Sequence, residues 1–352
     1  MAQIARSIAG IIQYDSGESY IVEAGALAHD LGNPPFGHAG ERYLNKLFAD
    51  IGGFEGNAQT LRILTNIEKK RPSFRGLNLT YRSMLSVVKY FNKFDVEKFK
   101  KDGKGQKFIY DDDYELLYKF IKENDIKVRT IDVQIVDIAD EIAYAAHDLE
   151  DGLRVKAFTI DEVLHDYKAQ FGNSDCYNIF EENVKSAQEK AGYGINKMDS
   201  TQYSKLFRQE LASRLINLAL NDINLMPVTD KMANKTGTMQ KEELGFVSYG
   251  ELIHGLKDIV FKCINHNDEV YHYEHNGEKV LNFLVGLYTE ENMYLPPEYR
   301  AEELMNQYPD LKDNDENQLQ KRLICDYIAG MMDSYAISTY EKFSGKKFGS
   351  EH

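Results

Sequence analysis

Ala28-His29-Asp30-Leu31-Gly32 places two adjacent potential metal ligands at the end of an apolar stretch. A neutral imidazole beside a carboxylate suits a borderline divalent ion such as Mn, Fe, Zn, Ni or Mg. An isolated His-Asp pair is common at capped helix ends, so this one gains weight only from its neighbours in the chain. Gly32-Asn33-Pro34-Pro35-Phe36-Gly37 is a rigid turn that must leave the helix sharply. His38 and Glu41 then open the next helix at spacing i, i+3, on one face. A carboxylate holding a histidine ring is the arrangement a general acid needs.

A second constellation lies in IDVQIVDIADEIAYAAHDLEDGL, residues 131–153. Apolar and alanine side chains surround most of this segment, which predicts a buried helix. Asp137, Asp140, Tyr144, Asp148 and Asp151 nevertheless recur at spacings of 3, 4, 4 and 3, one acidic stripe along it. Unpaired buried carboxylates cost several kcal/mol each, so the stripe calls for a metal, a cation or hydrogen-bond donors. Asp140 is the natural third metal ligand, with Tyr144 and Asp148 further along the same wall.

The elements that must position these groups read as helices. Ile4, Ile8, Ile11 and Ile12 mark one face of an opening helix, and residues 19–31 form a second. Further helices are expected at 40–50, 57–70, 80–92, 113–124, 160–170, 177–191, 202–224, 249–265, 278–288, 299–307 and 317–344. Only YGELIHG and EVYHYEH tempt a short strand. Residues 95–113, 228–245 and 308–316 read as surface connections. The fold class is all-α. One helical body spans 1–352, with a metal-site core in 1–160 and a C-terminal helical part, 161–352, packed on it.

The 352 residues carry 42 basic and 56 acidic side chains, a net charge of −14. That balance gives no support to a nucleic-acid partner, since backbone binding needs a basic surface. No apolar run approaches the ~20 residues of a membrane span. MAQIARSIAGIIQY lacks the small-residue cleavage site of a signal peptide. Cys176, Cys263 and Cys325 are scattered and form no CxxC pair, which fits a reducing cytoplasm. His266, His272 and His275, with Glu269 and Glu274, have no spacing tied to one coordination geometry.

HDLGNPPFGHAGE, FEGNAQTLRIL, GLNLTY, DIADEIAYAAHDLEDG and DYIAGMMDSYA, in that order, resemble the deoxyguanosine triphosphate triphosphohydrolase family of HD-domain phosphohydrolases. The resemblance runs from residue 2 to about residue 345. It implies an all-α HD fold, a homo-oligomer, and cleavage of a deoxynucleoside triphosphate to deoxynucleoside and inorganic triphosphate. By the same resemblance His29, Asp30 and Asp140 match divalent-metal ligands, and His38 and Glu41 match the catalytic histidine and its acidic partner. Tyr144 and Asp148 match residues touching sugar and triphosphate, Asn57 and Gln59 lie in a motif lining the pocket, and Lys89 and Lys107 are phosphate candidates. Family members carry an Arg-x-x-His motif just ahead of the segment that opens this chain, and its histidine is a further metal ligand. The expectation is therefore a short N-terminus: a fragment, a misplaced start, or a copy with weakened metal binding. The alternatives are an HD phosphohydrolase of another nucleotide and a nucleotide-binding regulatory subunit without turnover.

Overall fold

The computed structural model describes residues 1–102, 105–192, 199–265 and 268–349. In chain order the helices are α1 (Ala2–Ile11), α2 (Ser19–Ala28), α3 (Gly37–Leu47), α4 (Gly56–Arg62), α5 (Tyr81–Leu85), α6 (Val96–Asp102), α7 (Asp111–Glu123) and α8 (Ile131–Val155). They continue as α9 (Ile160–Phe171), α10 (Asp175–Gly192), α11 (Ser200–Leu220), α12 (Asp230–Thr236) and α13 (Gly250–Asn265). The last four are α14 (Asp268–Glu290), α15 (Ala301–Gln307), α16 (Glu316–Ala329) and α17 (Asp333–Ser344). Among the described residues, named strands are confined to an antiparallel ribbon, β1 (Ile223–Pro227) against β2 (Glu242–Phe246), with Leu225 opposite Leu244. The fold is all-α. No helix among the described residues is long and apolar enough to cross a membrane.

Several helices stop where competing interactions take over. The helix expected over 80–92 is only α5, because the chain beyond it pairs elsewhere: Phe91 N–H donates to Thr236 O at 2.7 Å and Ile109 N–H to Asn92 O at 2.9 Å. α4 ends in a π turn at Ile63–Ile67. The 202–224 expectation splits at Asp222, whose carboxylate accepts from the backbone N–H groups of Ser248 and Tyr249 and frees residues 223–227 for β1. The 317–344 expectation breaks at Gly330 into α16 and α17. YGELIHG enters α13 and EVYHYEH lies in α14, so neither is a strand. The connections expected at 95–113 and 228–245 contain α6 in the first, and α12 with most of β2 in the second.

The chain divides into two compact units. The first takes Met1–Leu27, Thr130–Thr229 and Gln240–Val270. Its axis is α8, packed by α1, α11, α13 and β2 around one core that includes Ile8, Ile135, Ile142, Leu149, Phe180 and Leu256. The second takes Ala28–Arg129, Asp230–Met239 and Tyr271–His352. It has a core of Phe36, Leu44, Phe48, Phe54, Leu284 and Ile328, and another of Leu61, Leu85, Phe91, Ile109 and Leu117.

Candidate active site

α2 stops at Ala28, where the second unit begins, and the prolines two and three residues beyond Gly32 keep the following chain from resuming a helix before α3. The turn after α2 is tied to α4 through one side chain. Thr60 Oγ1 donates to His29 O at 3.0 Å and accepts from Gly32 N–H at 3.0 Å. Gly32 is required there, since a Cβ would stand 2.1 Å from Gly56 O and 2.3 Å from Thr60 N. His29 Nε2 lies 3.1 Å from Asp30 Oδ2; the imidazole is 12% exposed and the carboxylate 57%. The adjacent pair thus presents a nitrogen and an oxygen together, with the ring held largely out of water.

The Pro34–Phe36 turn is fixed by a remote side chain. Phe36 adopts φ 64°, a left-handed conformation costly for a bulky residue, and is buried. Its N–H donates to Asp333 Oδ1 at 3.0 Å, and Asp333 Oδ2 accepts from Tyr273 OH at 2.6 Å. Gly40 is needed in α3 because a Cβ there would meet Pro35 O at 1.9 Å. α3 is thereby set down so that His38 and Glu41 lie in its first turns.

His38 Nδ1 and Glu41 Oε2 are 3.2 Å apart, with the imidazole 59% exposed and the carboxylate 16%. Lys107 Nζ donates to Glu41 Oε1 at 3.1 Å and to Glu55 Oε1 at 2.6 Å. Glu55 is buried, caps α4 by accepting from Ala58 N–H at 2.9 Å, and takes a hydrogen bond from Asn57 Nδ2 at 2.8 Å. Burial by itself would raise the Glu41 carboxyl; hydrogen bonds from His38 and Lys107 and the lysine charge outweigh it and hold the pKa at about 2. Burial raises the Glu55 carboxyl against the pull of Lys107. The Lys107 ammonium is opposed by burial but raised on balance by both glutamates.

Gln59 is buried beside this chain of charges, its Nε2 donating to Asp326 Oδ1 at 3.0 Å and its Oε1 accepting from Tyr110 OH at 3.0 Å. Arg62 Nε and an Nη grip the same Asp326 carboxylate at 2.7–2.9 Å. Lys89 is buried, and its backbone oxygen accepts from Arg129 Nη1 at 2.7 Å. Spacing brought His29 with Asp30 and His38 with Glu41. Glu55, Thr60, Asp326 and Asp333 are the supports that spacing did not reveal, although each sits inside or beside a quoted motif.

In the first unit, α8 carries Asp140, Tyr144 and Asp148. Asp137, Asp140, Tyr144 and Asp148 are half-buried and Asp151 is exposed, so the acidic stripe runs along the margin of a buried helix and reaches solvent at its C-terminal end. Asp148 is raised by burial and by Asp151, while a hydrogen bond from Tyr144 pulls the other way. Lys257 of α13 stands 4.5 Å from the Tyr144 ring centroid, and His254 Nε2 lies 3.3 Å from Glu141 Oε2. These two α13 side chains flank the stripe from a helix whose sequence pattern is that of an ordinary amphipathic element. His272 and His275 lie on α14, and His266 lies outside the described residues.

A turn presenting a histidine-aspartate pair leads into a helix carrying a histidine-glutamate pair, and both lie inside the stretch that the HD domain model matches. The HD domain model matches residues 1–145, and a phosphohydrolase-associated domain matches 248–342. The chain is 38% identical to deoxyguanosinetriphosphate triphosphohydrolase-like protein 2 of Vibrio cholerae, over 98% of this chain and 78% of that protein. It is 30% identical to deoxyguanosinetriphosphate triphosphohydrolase-like protein 2 of Deinococcus radiodurans, covering 99% of this chain and 82% of the relative. It is 29% identical to a deoxyguanosinetriphosphate triphosphohydrolase-like protein of a Caulobacter species, covering 97% and 79%. The chain belongs to the deoxyguanosinetriphosphate triphosphohydrolase-like family of HD-domain proteins.

Proposed function

We propose that this protein hydrolyses a deoxynucleoside triphosphate, with dGTP the favoured substrate, to the deoxynucleoside and inorganic triphosphate. The observation that carries the reading is the His38–Glu41 pair, fixed from behind by Lys107, in a chain of this family. His29, Asp30 and Asp140 are the proposed ligands of a divalent cation, a donor set of one imidazole and two carboxylates that suits Mn, Mg, Fe, Zn or Ni. When bound, such an ion supplies positive charge against the α-phosphate and Lewis acidity toward water.

The chain's own groups do the rest. Water attacks the α-phosphorus, the bond to the 5′-oxygen breaks, and triphosphate departs intact. His38, steadied through Nδ1 by Glu41, offers its other ring nitrogen to protonate the leaving 5′-oxygen or to relay a proton from the attacking water. Tyr144 packs against the deoxyribose, and Asp148 stands beside it for sugar and triphosphate contacts. Asn57, Gln59 and Lys89 line the proposed pocket. The Lys107 ammonium has three N–H groups, of which two are engaged by glutamates, leaving one for a phosphate oxygen. Both units belong to one catalytic domain in this reading, and the active form is a cytoplasmic homo-oligomer.

The test is a triphosphate-release assay with each of the four dNTPs and with supplied Mn, Mg or Zn, beside His38→Ala. Release of inorganic triphosphate that needs the metal and falls at least ~100-fold in the variant supports the reading. Phosphate or pyrophosphate as the released product, or release indifferent to His38, overturns it.

A further inference from the structure

Glu41 divides its two oxygens, giving Oε2 to His38 and Oε1 to Lys107. That division turns Nδ1 of the imidazole inward and leaves Nε2 for a substrate oxygen. It holds only while the ammonium stays where it is. Lys107 lies in the extended segment before α7, whose next two residues, Phe108 and Ile109, are buried and whose Ile109 N–H is tied to Asn92 O. The ammonium itself is placed by its shortest contact, 2.6 Å to Glu55 Oε1. Glu55 cannot follow it outward. The carboxylate is 1% exposed and spends Oε2 on Ala58 N–H at the first turn of α4, while Oε1 also accepts from Asn57. Tyr90 presents its ring face 5.8 Å from the same ammonium. A buried carboxylate needs such a cation, so Glu55 and Lys107 hold each other in place.

We propose that Glu55 is a positioning residue for the His38–Glu41 pair and acts through Lys107. The inference rests on the phosphohydrolase reading for its functional meaning. Its physical content is separate: a buried helix cap steadies an ammonium, the ammonium steadies Glu41, and Glu41 steadies the ring.

The test is a double-mutant cycle on the full chain, with Glu55→Gln, Lys107→Gln and both together. Glutamine keeps an oxygen for the Ala58 N–H, so the cap of α4 survives. The first readout needs no turnover: glutamate labelled with 13C at the carboxyl, with the Glu41 signal assigned by its loss in Glu41→Gln. Glu55→Gln is expected to displace that signal and its titration, and to do so only when Lys107 is present. The second readout is kinetic. Glu55→Gln is expected to lower kcat by roughly 10- to 100-fold while KM changes by less than about threefold, and to add nothing in the Lys107→Gln background. Glu55→Asp keeps the charge but withdraws it by one methylene, and is expected to displace the Glu41 signal in the same conditional way should the glutamine variant fail to fold. An unmoved Glu41 signal, or a displacement of the same size in both backgrounds, overturns the proposal. If wild type releases no triphosphate while the carboxyl signals stay coupled, the phosphohydrolase reading falls and the positioning chain stands.

Discussion

Asp333 holds the backbone of Phe36: its Oδ1 accepts the Phe36 N–H at 3.0 Å across 297 residues of sequence. The contact secures a left-handed phenylalanine at the entry to α3, two residues before His38. Replacing Asp333 with alanine leaves a buried donor without its acceptor, which costs about 1–3 kcal/mol. Asparagine keeps an acceptor oxygen and should cost less than about 1 kcal/mol. Urea midpoints of the two variants against wild type check the ordering, and equal losses would show that the Phe36 contact is not what Asp333 supplies.

Asp326 is expected to be the more damaging site. Arg62 grips its carboxylate through two nitrogens, and the Asp326 side chain is fully enclosed. Asp326→Ala strands a buried guanidinium and takes a partner from Gln59, a loss of about 3–5 kcal/mol. The Arg62→Met, Asp326→Leu pair removes both charges and should recover a large part of that loss in chemical denaturation. A double variant as unstable as Asp326→Ala would speak against the stranded charge as the cause.

Asp113 works against the fold at neutral pH. It is buried, and among the described residues its Oδ2 has no hydrogen-bond partner, while Thr65 Oγ1 donates to Oδ1 at 2.8 Å. Burial pushes its pKa up to about 6, with the Thr65 hydrogen bond and Arg62 pulling it partly back. A raised carboxyl pKa means the folded protein binds the proton more tightly, so stability falls as pH climbs from about 4 to about 6. Asp113→Asn should therefore stabilise by about 1–3 kcal/mol at pH 7.5 and by little at pH 4. Thermal melts at the two pH values decide; a gain of equal size at both would remove ionisation as the reason.

Glu41 has the opposite sign. Its folded pKa of about 2 lies below the ordinary 4.5, so its ionisation stabilises the fold fully above pH 4.5 and loses effect as pH falls toward 2. Glu41→Gln should cost up to about 3 kcal/mol at pH 7, and the gap to wild type should narrow between pH 4.5 and 3. Urea denaturation at pH 7, 4 and 3 tests this. A gap that stays constant over that range would mean the loss comes from packing and not charge.

What sequence made legible was local chemistry. His29 and Asp30 are neighbours, and His38 and Glu41 share a helix face at i, i+3, so their contacts of 3.1 and 3.2 Å follow from short-range geometry. The long apolar register of α8 was equally plain, and with it the all-α class. The supports were not legible, because Glu55 meets Lys107 across 52 residues and Arg62 meets Asp326 across 264. Helix ends failed for a related reason. Nothing near residue 86 announces that Phe91 will bond to Thr236, or that Asp222 will stop α11 by taking the backbone of Ser248 and Tyr249. The acidic stripe was visible as a pattern, but its half-buried setting depends on which faces of α8 its neighbours cover.

The two units are interleaved along the chain, each assembled from three separate stretches, and this sets an order of events during synthesis. Translation delivers α3 with its histidine and glutamate early, yet the aspartates that lock Phe36 and Arg62 arrive 297 and 264 residues after them. Closing loops of that length is entropically slow, and contacts of high sequence separation are made late. The nascent protein therefore carries its reactive residues for most of its elongation in an unfinished frame, with Phe36 and Arg62 still waiting for their partners. The frame around His38 is complete only once α16 and α17, which carry Asp326 and Asp333, have left the ribosome.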